Sequence, residues 1–311
     1  MDAQVSGVGG QDLGFGIQDS GFRIQGSGFY FQLKDWRIFS VIGPDAADFL
    51  QRISSQNYKS PATGEARDMA ILTPTGDIIG FCVGFQPSVN EFYFAVHQRE
   101  FAATLKQLED FFFTENLEIK ATPDLSPLLL TDHADRTGTA CRARTDGILF
   151  SRPTLAPGDQ WLIAENQCLA ELLSDLKQQG FSPLDEAEFE FRRIVAGWPV
   201  SGVDYDEDTM ILAAGLSSGV AFNKGCYPGQ EVVERATAIG ASPKKLVTIE
   251  FERSPRVPGS IQVEGKEVGR LTSVATLDGR TVGLGQMRTK VAEPQKMVVV
   301  DNVQGVIIAI H

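Results

Sequence analysis

The residues of this sequence that could do chemistry are concentrated in one short segment, "NKGCYPGQEVVER" (223–235). Cys226 stands there between Gly225 and Gly229, and Lys224 lies two residues before it. A nearby cation and a helix N-terminus both favour the thiolate form of a cysteine, which is the nucleophilic form. The alternative is a small, buried, apolar residue, the usual role of a lone cysteine. The spacing alone leaves both interpretations open, and no histidine lies nearby in the sequence to complete a Cys-His pair.

A short helix is predicted directly after the cysteine, within "PGQEVVERATAIG" (228–240). A proline suits the first turn of a helix, and Glu231 complements the positive charge of the helix end. Glu231 and Arg235 are four residues apart, so they can pair on one helix face. The two glycines beside the cysteine, Gly225 and Gly229, would let the backbone adopt unusual dihedral angles and approach a ligand closely.

Length and composition are those of an ordinary globular protein. The chain has 311 residues, enough for two or three domains, with 42% apolar and 22% charged residues. No apolar run approaches the roughly 20 residues that a membrane-spanning helix needs. The N-terminus lacks the basic-then-apolar pattern of a signal peptide, so we expect a cytoplasmic protein that does not act on membranes.

Charge and cysteine usage narrow the function classes further. A net charge of −12 disfavours direct binding of nucleic acid, since phosphate contacts need a surplus of lysine and arginine. The acidic run "DYDEDT" (204–209) lacks the ligand spacing of a calcium loop, so we interpret it as a solvated loop. The cysteines are widely spaced and form no C-x-x-C pair, which argues against a disulfide framework and a permanently bound metal. They are Cys82, Cys141, Cys168 and Cys226.

The chain divides into three predicted parts. Residues 1–29 carry a seven-residue repeat rich in Gly, Gln and Ser, whose weak hydrophobicity predicts a disordered tail or a misassigned start. Residues 30–241 show strand and helix patterns in two similar blocks, split near 122–150, which predict an α+β module with two related halves. Residues 242–311 hold short strand patterns separated by Gly, Pro and Asp, which predict a small antiparallel β-barrel.

Local patterns define the elements of the α+β module. Two apolar runs around Pro74, Thr75 and Gly76 predict a β-hairpin. Apolar residues at positions 101, 105, 108 and 112 share one helix face at helical spacing. Besides the helix after the cysteine, four helices are predicted in this module, at 45–53, 98–113, 168–180 and 184–197.

The segment around the cysteine resembles the K-G-C-Y-x-G-Q-E motif of the YgfZ family, folate-binding proteins of iron–sulfur cluster assembly and repair. It reads "KGCYPGQE" here and includes Tyr227 and Gln230. The resemblance continues in "LKDWRIFSVIGPDAADFLQ", "RRIVAGWPVSGVDYDEDT" and "VGRLTSVAT", and it covers residues 30 to 311. It implies an aminomethyltransferase folate-binding-like module that is followed by the barrel.

The resemblance also implies tetrahydrofolate, or a derivative of it, as the cofactor. Trp36 in "LKDW" matches an aromatic residue that lines the folate cavity of the family, and Phe189 falls where the family often has a second one. A flat ring against a pterin ring would gain about 1 kcal/mol beyond burial. The alternative for Trp36 is a tryptophan that packs at the start of a strand.

One departure from the family concerns the pterin-binding glutamate. Relatives usually carry R-I-E-A-G, where this chain has "RIVAG" with Val195 in place of the glutamate. A valine cannot accept the hydrogen bonds of a carboxylate. Folate would then bind more weakly, sit differently, or be recognised by Glu188 or Glu190 one or two turns earlier.

The aminomethyltransferase of glycine cleavage (T-protein) belongs to the same superfamily. Its hairpin reads G-G-x-x-D-D and carries the aspartate that activates the folate reaction. The matching stretch here is "GDIIGFCVG", with Gly80 and Phe81 in the place of the acids. Asp77 lies nearby, but strand alternation makes it a poor substitute. Aminomethyl transfer is therefore disfavoured.

We therefore expect an accessory protein that uses tetrahydrofolate and the Cys226 thiol to assemble or repair 4Fe–4S clusters. Its partners would be iron–sulfur assembly proteins or client enzymes, such as radical-SAM enzymes that modify tRNA. Lys224 would favour the thiolate, and Gln230, Glu231 and Arg235 would hold the next helix or contact a ligand. The alternatives are a folate-dependent one-carbon transferase and a folate-sensing scaffold in which the thiol does no chemistry.

Overall fold

The computed structural model of the protein describes residues 28–59, 66–132, 147–152, 154–238 and 242–311. The predicted tail, apart from its last two residues, and Cys141 therefore lie outside the described residues. Within these ranges the chain forms two five-stranded β-sheets, five α-helices and a closed antiparallel barrel of six strands. The predicted α+β class with a terminal β-barrel is confirmed.

The first described strand, β1 (Gly28–Gln32), begins two residues before the expected start of the folded module. The next five strands form the first sheet, in the spatial order β3-β4-β5-β2-β6. They are β2 (Trp36–Ile42), β3 (Ala66–Leu72), β4 (Ile78–Ser88), β5 (Glu91–His97) and β6 (Glu118–Ala121). The predicted hairpin corresponds to β3 and β4, which pair in antiparallel fashion.

Two helices, α1 (Ala46–Ile53) and α2 (Gln98–Asp110), cover one face of the first sheet. Three positions of the predicted apolar face, Phe101, Leu105 and Leu108, pack against the core of the first sheet, while position 112 lies beyond the end of α2. Glu100 and Thr104 are buried as well, and Gly80 on β4 leaves room for the Thr104 side chain at the helix–sheet contact.

The second sheet contains β1 and four later strands, in the order β10-β1-β7-β9-β8. The later strands are β7 (Leu125–Asp132), β8 (Gly147–Ser151), β9 (Gln160–Glu165) and β10 (Ser182–Pro183). Strand β7 and all of β8 except its last residue lie within 122–150, where the sequence predicted the division between the halves. Helix α3 (Leu169–Gln178) packs on the outer face through Leu172 and Leu176.

The two sheets pack against each other and share one core. Val83 and Phe85 of the first sheet lie in the same buried cluster as Phe150 and Trp161 of the second. The ring centroids of Phe85 and Phe150 are 4.6 Å apart. The order of layers is therefore helix pair, sheet, sheet, helix, which fits the prediction of two related α+β halves.

The C-terminal part follows α4 (Glu186–Ala196), a loop with a short 3-10 helix (Ser217–Gly219), and α5 (Gln230–Ala238). Helix α4 packs against the barrel, because Phe191 and Ile194 share a buried cluster with Leu246, Val282 and Leu284. The barrel strands are β11 (Lys244–Phe251), β12 (Gly259–Val263), β13 (Lys266–Leu277), β14 (Arg280–Arg288), β15 (Met297–Val300) and β16 (Val303–Ile310), with a 3-10 turn at Thr289–Val291. None of the helices in the described ranges has the length and apolar character that crossing a membrane requires.

Candidate functional site

A cavity of about 960 Å³ lies between β1, the start of β2 and helix α4. Trp36 and Phe189, the two residues predicted to contact folate, both line it, and Trp198 adds a third aromatic side chain. Ligand cavities of roughly 300–1,000 Å³ can enclose most of a drug-sized molecule. The tertiary structure thus brings together two aromatic residues that are far apart in the sequence.

Trp36 is the first residue of β2 and lies opposite His97 of β5. The centroid of its indole ring lies 5.6 Å from that of Trp198 and 5.4 Å from that of Trp161. The residue is half-buried, so part of the ring faces the cavity while the rest packs in the core. Trp36 is therefore both a residue packed at the start of a strand and a residue that lines the cavity.

Phe189 contributes a different surface to the cavity. Its ring stacks on that of Phe31, with centroids 3.8 Å apart and planes inclined by 5°. It also lies 6.0 Å from the Trp198 centroid in an edge-to-face arrangement. One face of the Phe189 ring is therefore covered by the protein, and the packing holds the ring in place.

A carboxylate also lines the cavity, on the helix that carries Phe189. The sequence offered Glu188 and Glu190 as substitutes for the pterin-binding glutamate that Val195 replaces. Only Glu190 lines the cavity. Glu188 instead pairs with Arg192, and neither it nor Val195 belongs to the cavity lining. The Glu190 side chain is 37% exposed, so its carboxylate is open to the cavity.

Arg193 holds Glu190 and connects α4 to the barrel. Its Nε donates to Glu190 Oε2 at 2.6 Å, and its terminal nitrogens donate to Asp204, Ser273 and the carbonyl of Trp198. Burial by itself would lower the pKa of Arg193, but Asp204 and Glu190 outweigh it and raise the pKa above its ordinary value. The guanidinium group therefore remains charged and fixes one wall of the cavity.

The acidic run at 204–209 differs from its predicted role as a solvated loop. Asp204 and Tyr205 are buried, and Asp204 accepts hydrogen bonds from Thr272 and Ser273 at 2.6 Å each. The prediction is wrong for these two residues because the barrel and Arg193 supply partners that the local sequence does not contain. It holds for the exposed positions Asp206, Glu207 and Asp208.

Lys224 anchors the cysteine loop to the end of α1. Its buried ammonium group donates to the carbonyl oxygens of Gln51 at 2.6 Å, of Gln56 at 2.9 Å, and of Ser54. An ammonium group has three donors, and all three are used here. The contacts give Lys224 a structural role in the loop, where the sequence suggested an electrostatic effect on the Cys226 thiol.

Gly229 and Gly225 differ in what they contribute to the loop. Gly229 has φ +84°, and a Cβ there would lie 2.6 Å from the carbonyl oxygen of Thr73. The loop can thus approach the hairpin turn only with a glycine at this position. Gly225 does not have a positive φ, and a Cβ added to it would meet no atom within 4 Å, so the expected backbone role holds for Gly229 alone.

Cys226 itself is exposed, whereas the neighbouring Tyr227 is buried against the hairpin. Helix α5 begins four residues later, at Gln230. Its predicted pair is present, since Arg235 contacts Glu231 at 2.5 Å, and both side chains are largely solvent-exposed. Gln230 donates to Glu234 at 2.7 Å. These contacts stabilise the helix after the loop and leave the thiol accessible to solvent.

The hairpin has no acid at the positions where the transferases carry one. A Cβ on Gly80 would lie 2.0 Å from Thr104 Oγ1, and Phe81 is buried in the core. Asp77 accepts hydrogen bonds from Thr73 and Thr75 within the turn, and it is not a cavity residue. None of the three positions can present a carboxylate to the aromatic cavity.

A buried carboxylate that the sequence did not reveal lies next to this hairpin. Glu100 is 7% exposed and accepts a hydrogen bond from the Phe81 amide at 3.0 Å. Burial raises its pKa, although hydrogen bonds from Phe81, Tyr205 and Ser201 act in the opposite direction. Its position in the first turn of α2 is typical of a solvent-exposed glutamate, so the sequence contains no signal for it.

Metal-binding side chains do not cluster in the described residues, where no group of three or more could hold an ion. Of the cysteines described, Cys82 is buried, Cys168 is half-buried and Cys226 is exposed. The accessible thiol is thus the one in the motif, and the aromatic cavity offers ring and carboxylate contacts to an organic ligand.

Known proteins resemble this chain in sequence along part of their length, although no family model matches it. A chloroplastic protein of Arabidopsis thaliana, named as a candidate transferase, is 26% identical over 255 residues, which cover 75% of this chain and 58% of that protein. The tRNA-modifying protein YgfZ of Escherichia coli is 32% identical over 139 residues, 40% of this chain and 41% of that protein. The matches thus span less than two thirds of either relative.

The fold is similar to that of a solved enzyme. The crystal structure of the glycine cleavage system aminomethyltransferase T from Bartonella henselae matches with a TM-score of 0.79 at 15% sequence identity. The match covers 91% of this chain and 85% of that one. The predicted aminomethyltransferase-like fold is therefore confirmed.

Proposed function

Because the chain belongs to the YgfZ family, we propose that it is a cytoplasmic, folate-using accessory protein of tRNA modification. The Escherichia coli relative is named a tRNA-modifying protein, and the solved structure with the same fold is an aminomethyltransferase. In its finer form, the proposal is that the protein helps to assemble or repair 4Fe–4S clusters. The clients would be tRNA-modifying enzymes of the radical-SAM class.

The observation that carries this proposal is the cavity in which Trp36, Phe189 and Trp198 meet. Tetrahydrofolate fits the residues present, since it combines a flat pterin with a benzoyl ring and the cavity offers both aromatic surfaces and carboxylates. Trp36 and Trp198 would hold the rings through stacking and edge contacts. When bound, tetrahydrofolate would supply a carrier for one-carbon units.

The thiol of Cys226 is the second part of the proposal. It is exposed on a loop that Lys224 and Gly229 hold in place, so it can meet a partner protein without unfolding the loop. Such a thiol can ligate iron transiently, form a mixed disulfide or undergo reversible oxidation. The net charge of −12 favours a protein partner over the tRNA itself.

One-carbon transfer is the second candidate function, and the fold and the name of the Arabidopsis relative favour it. The hairpin argues against it, because neither Gly80 nor Phe81 can present the acid that activates folate in the transferases. Turnover of an aminomethyl or N-methyl donor by the purified protein would support the transferase and count against the accessory role.

Complementation tests the accessory role. Cells that lack the gene would carry an empty vector, the wild-type gene, Cys226→Ser or Cys168→Ser, and a methylthio modification of tRNA would be measured by mass spectrometry. Cys168 is a matched control because it is a half-buried cysteine that lies outside the motif. We expect wild type and Cys168→Ser to restore the modification, and Cys226→Ser to fail.

Two results would contradict the proposal in different ways. Equal rescue by Cys226→Ser would keep the tRNA-modification role and remove the thiol from it. A modification level that does not depend on the gene at all would remove the accessory role for that client.

A further inference from the structure

We infer that Glu190 is the residue that selects the pterin ring in this cavity, and that Arg193 is a positioning residue that holds Glu190 for this task. The inference rests on the proposed function, because it requires a folate ligand. The recognition residue of this chain is then Glu190, whereas the relatives carry their pterin-binding glutamate at the position of Val195.

The cavity wall contains four carboxylates, and they differ in how they are held. Asp35 accepts a hydrogen bond from Gln98 at 2.7 Å, and Asp185 caps helix α4. Glu186 is exposed in the first turn of α4. Glu190 is the one whose two oxygens are both bound by a buried cation, so it is the preorganised acceptor among them.

Arg193 cannot bind a ligand itself. Its Nε donates to Glu190, one terminal nitrogen donates to Asp204 and the Trp198 carbonyl, and the other donates to Glu190 and Ser273. A guanidinium group has five N–H donors, and these five contacts use all of them. The side chain is 2% exposed, so its part in recognition is to orient Glu190.

The Glu190 carboxylate keeps acceptor capacity on the cavity side. A carboxylate has about four lone-pair sites, and Arg193 occupies one on each oxygen. The free sites can accept from a ligand edge that carries adjacent N–H donors. The amide N–H and 2-amino group of a pterin form such an edge.

Charge also fixes the orientation of the ligand. The glutamate tail of folate is anionic, and like charges repel more strongly in a partly buried site than in water. The pterin end, which is neutral and rich in donors, is therefore the end that lies against Glu190. The tail points away from α4.

Binding of pterin and of lumazine tests the inference without any enzyme assay. Lumazine carries an oxygen acceptor where pterin carries the 2-amino donor. Quenching of tryptophan fluorescence reports binding, because Trp36 and Trp198 line the cavity. Tetrahydrofolate would be titrated first, to establish that the wild-type protein binds folate.

We expect wild type to bind pterin about 10- to 100-fold more tightly than lumazine, as for one hydrogen bond to a charged group. Glu190→Gln should lose this preference, because a glutamine can donate to the lumazine oxygen. Glu188→Gln is the matched control, since it removes an ion pair from the same helix outside the cavity. It should retain the wild-type preference.

The outcomes separate the inference from the proposed function. If wild type does not bind tetrahydrofolate, both are overturned. If it binds tetrahydrofolate but binds pterin and lumazine equally, only the inference is overturned, and this comparison needs no variant. If Glu186→Gln loses the preference for pterin over lumazine while Glu190→Gln keeps it, the assignment to Glu190 is also overturned.

Discussion

Arg193 and Asp204 form an ion pair at 2.8 Å in which the side chains are 2% and 0% exposed. The pair joins helix α4 to the loop before the barrel, and Ser273 of β13 contacts both partners. It therefore connects the wall of the aromatic cavity to the C-terminal domain.

Removing one partner of this pair should destabilise the protein strongly. Arg193→Met leaves the Asp204 carboxylate buried without its cation, which costs about 3–5 kcal/mol in the free energy of unfolding. Urea denaturation measures the loss. The control is Arg235→Met, whose pair with Glu231 is exposed and contributes about 0–1 kcal/mol. Equal losses in the two variants would contradict the prediction.

The two glycines of the cysteine loop should respond differently to alanine. Gly229→Ala forces a non-glycine residue into the left-handed region and places its methyl group against Thr73, so we expect a loss of at least about 1–2 kcal/mol. Gly225→Ala meets no atom within 4 Å and should change stability by less than about 0.5 kcal/mol. Thermal unfolding of both variants checks the difference. A neutral Gly229→Ala would show that the loop can rearrange freely.

Lys224 should make stability depend on pH in the alkaline range. Burial lowers the pKa of its ammonium group from 10.5 to about 8. Between these values the unfolded chain binds a proton that the folded chain does not, so the contribution of Lys224 to the free energy of unfolding rises with pH. Denaturation of wild type and Lys224→Met between pH 7.5 and 10.5 measures it. A constant difference between the two proteins would refute the prediction.

Restoring an acid to the hairpin should fail for a steric reason. A Cβ at Gly80 collides with Thr104 Oγ1, so Gly80→Asp and Gly80→Ala should each cost about 1–3 kcal/mol, the usual range for overpacking. Thr104→Ala removes the colliding oxygen. The double variant Gly80→Ala/Thr104→Ala should therefore recover part of the loss relative to the sum of the single changes. Chemical denaturation measures the loss in each variant. If the loss in the double variant equals the sum of the losses in the two single variants, the collision between a Cβ at position 80 and Thr104 is contradicted.

Local patterns in the sequence determined most of the elements. The hairpin, the helices at 46–53 and 186–196, and the barrel strands all lie where apolar spacing and turn residues predict them. These features depend on neighbours within a few residues, and this is the range over which side-chain periodicity and turn chemistry act.

Only the tertiary structure decided which distant residues meet. Strand β1 pairs with β7 in the second sheet, although the strands that follow it in the sequence form the first sheet. Glu190, Arg193 and Asp204 form one network with the barrel, and Lys224 binds carbonyl groups at the end of α1. Periodicity reports that a side chain is buried, but not which partner faces it. A buried charge is satisfied by groups from other elements, so its role becomes visible only when the chain has folded.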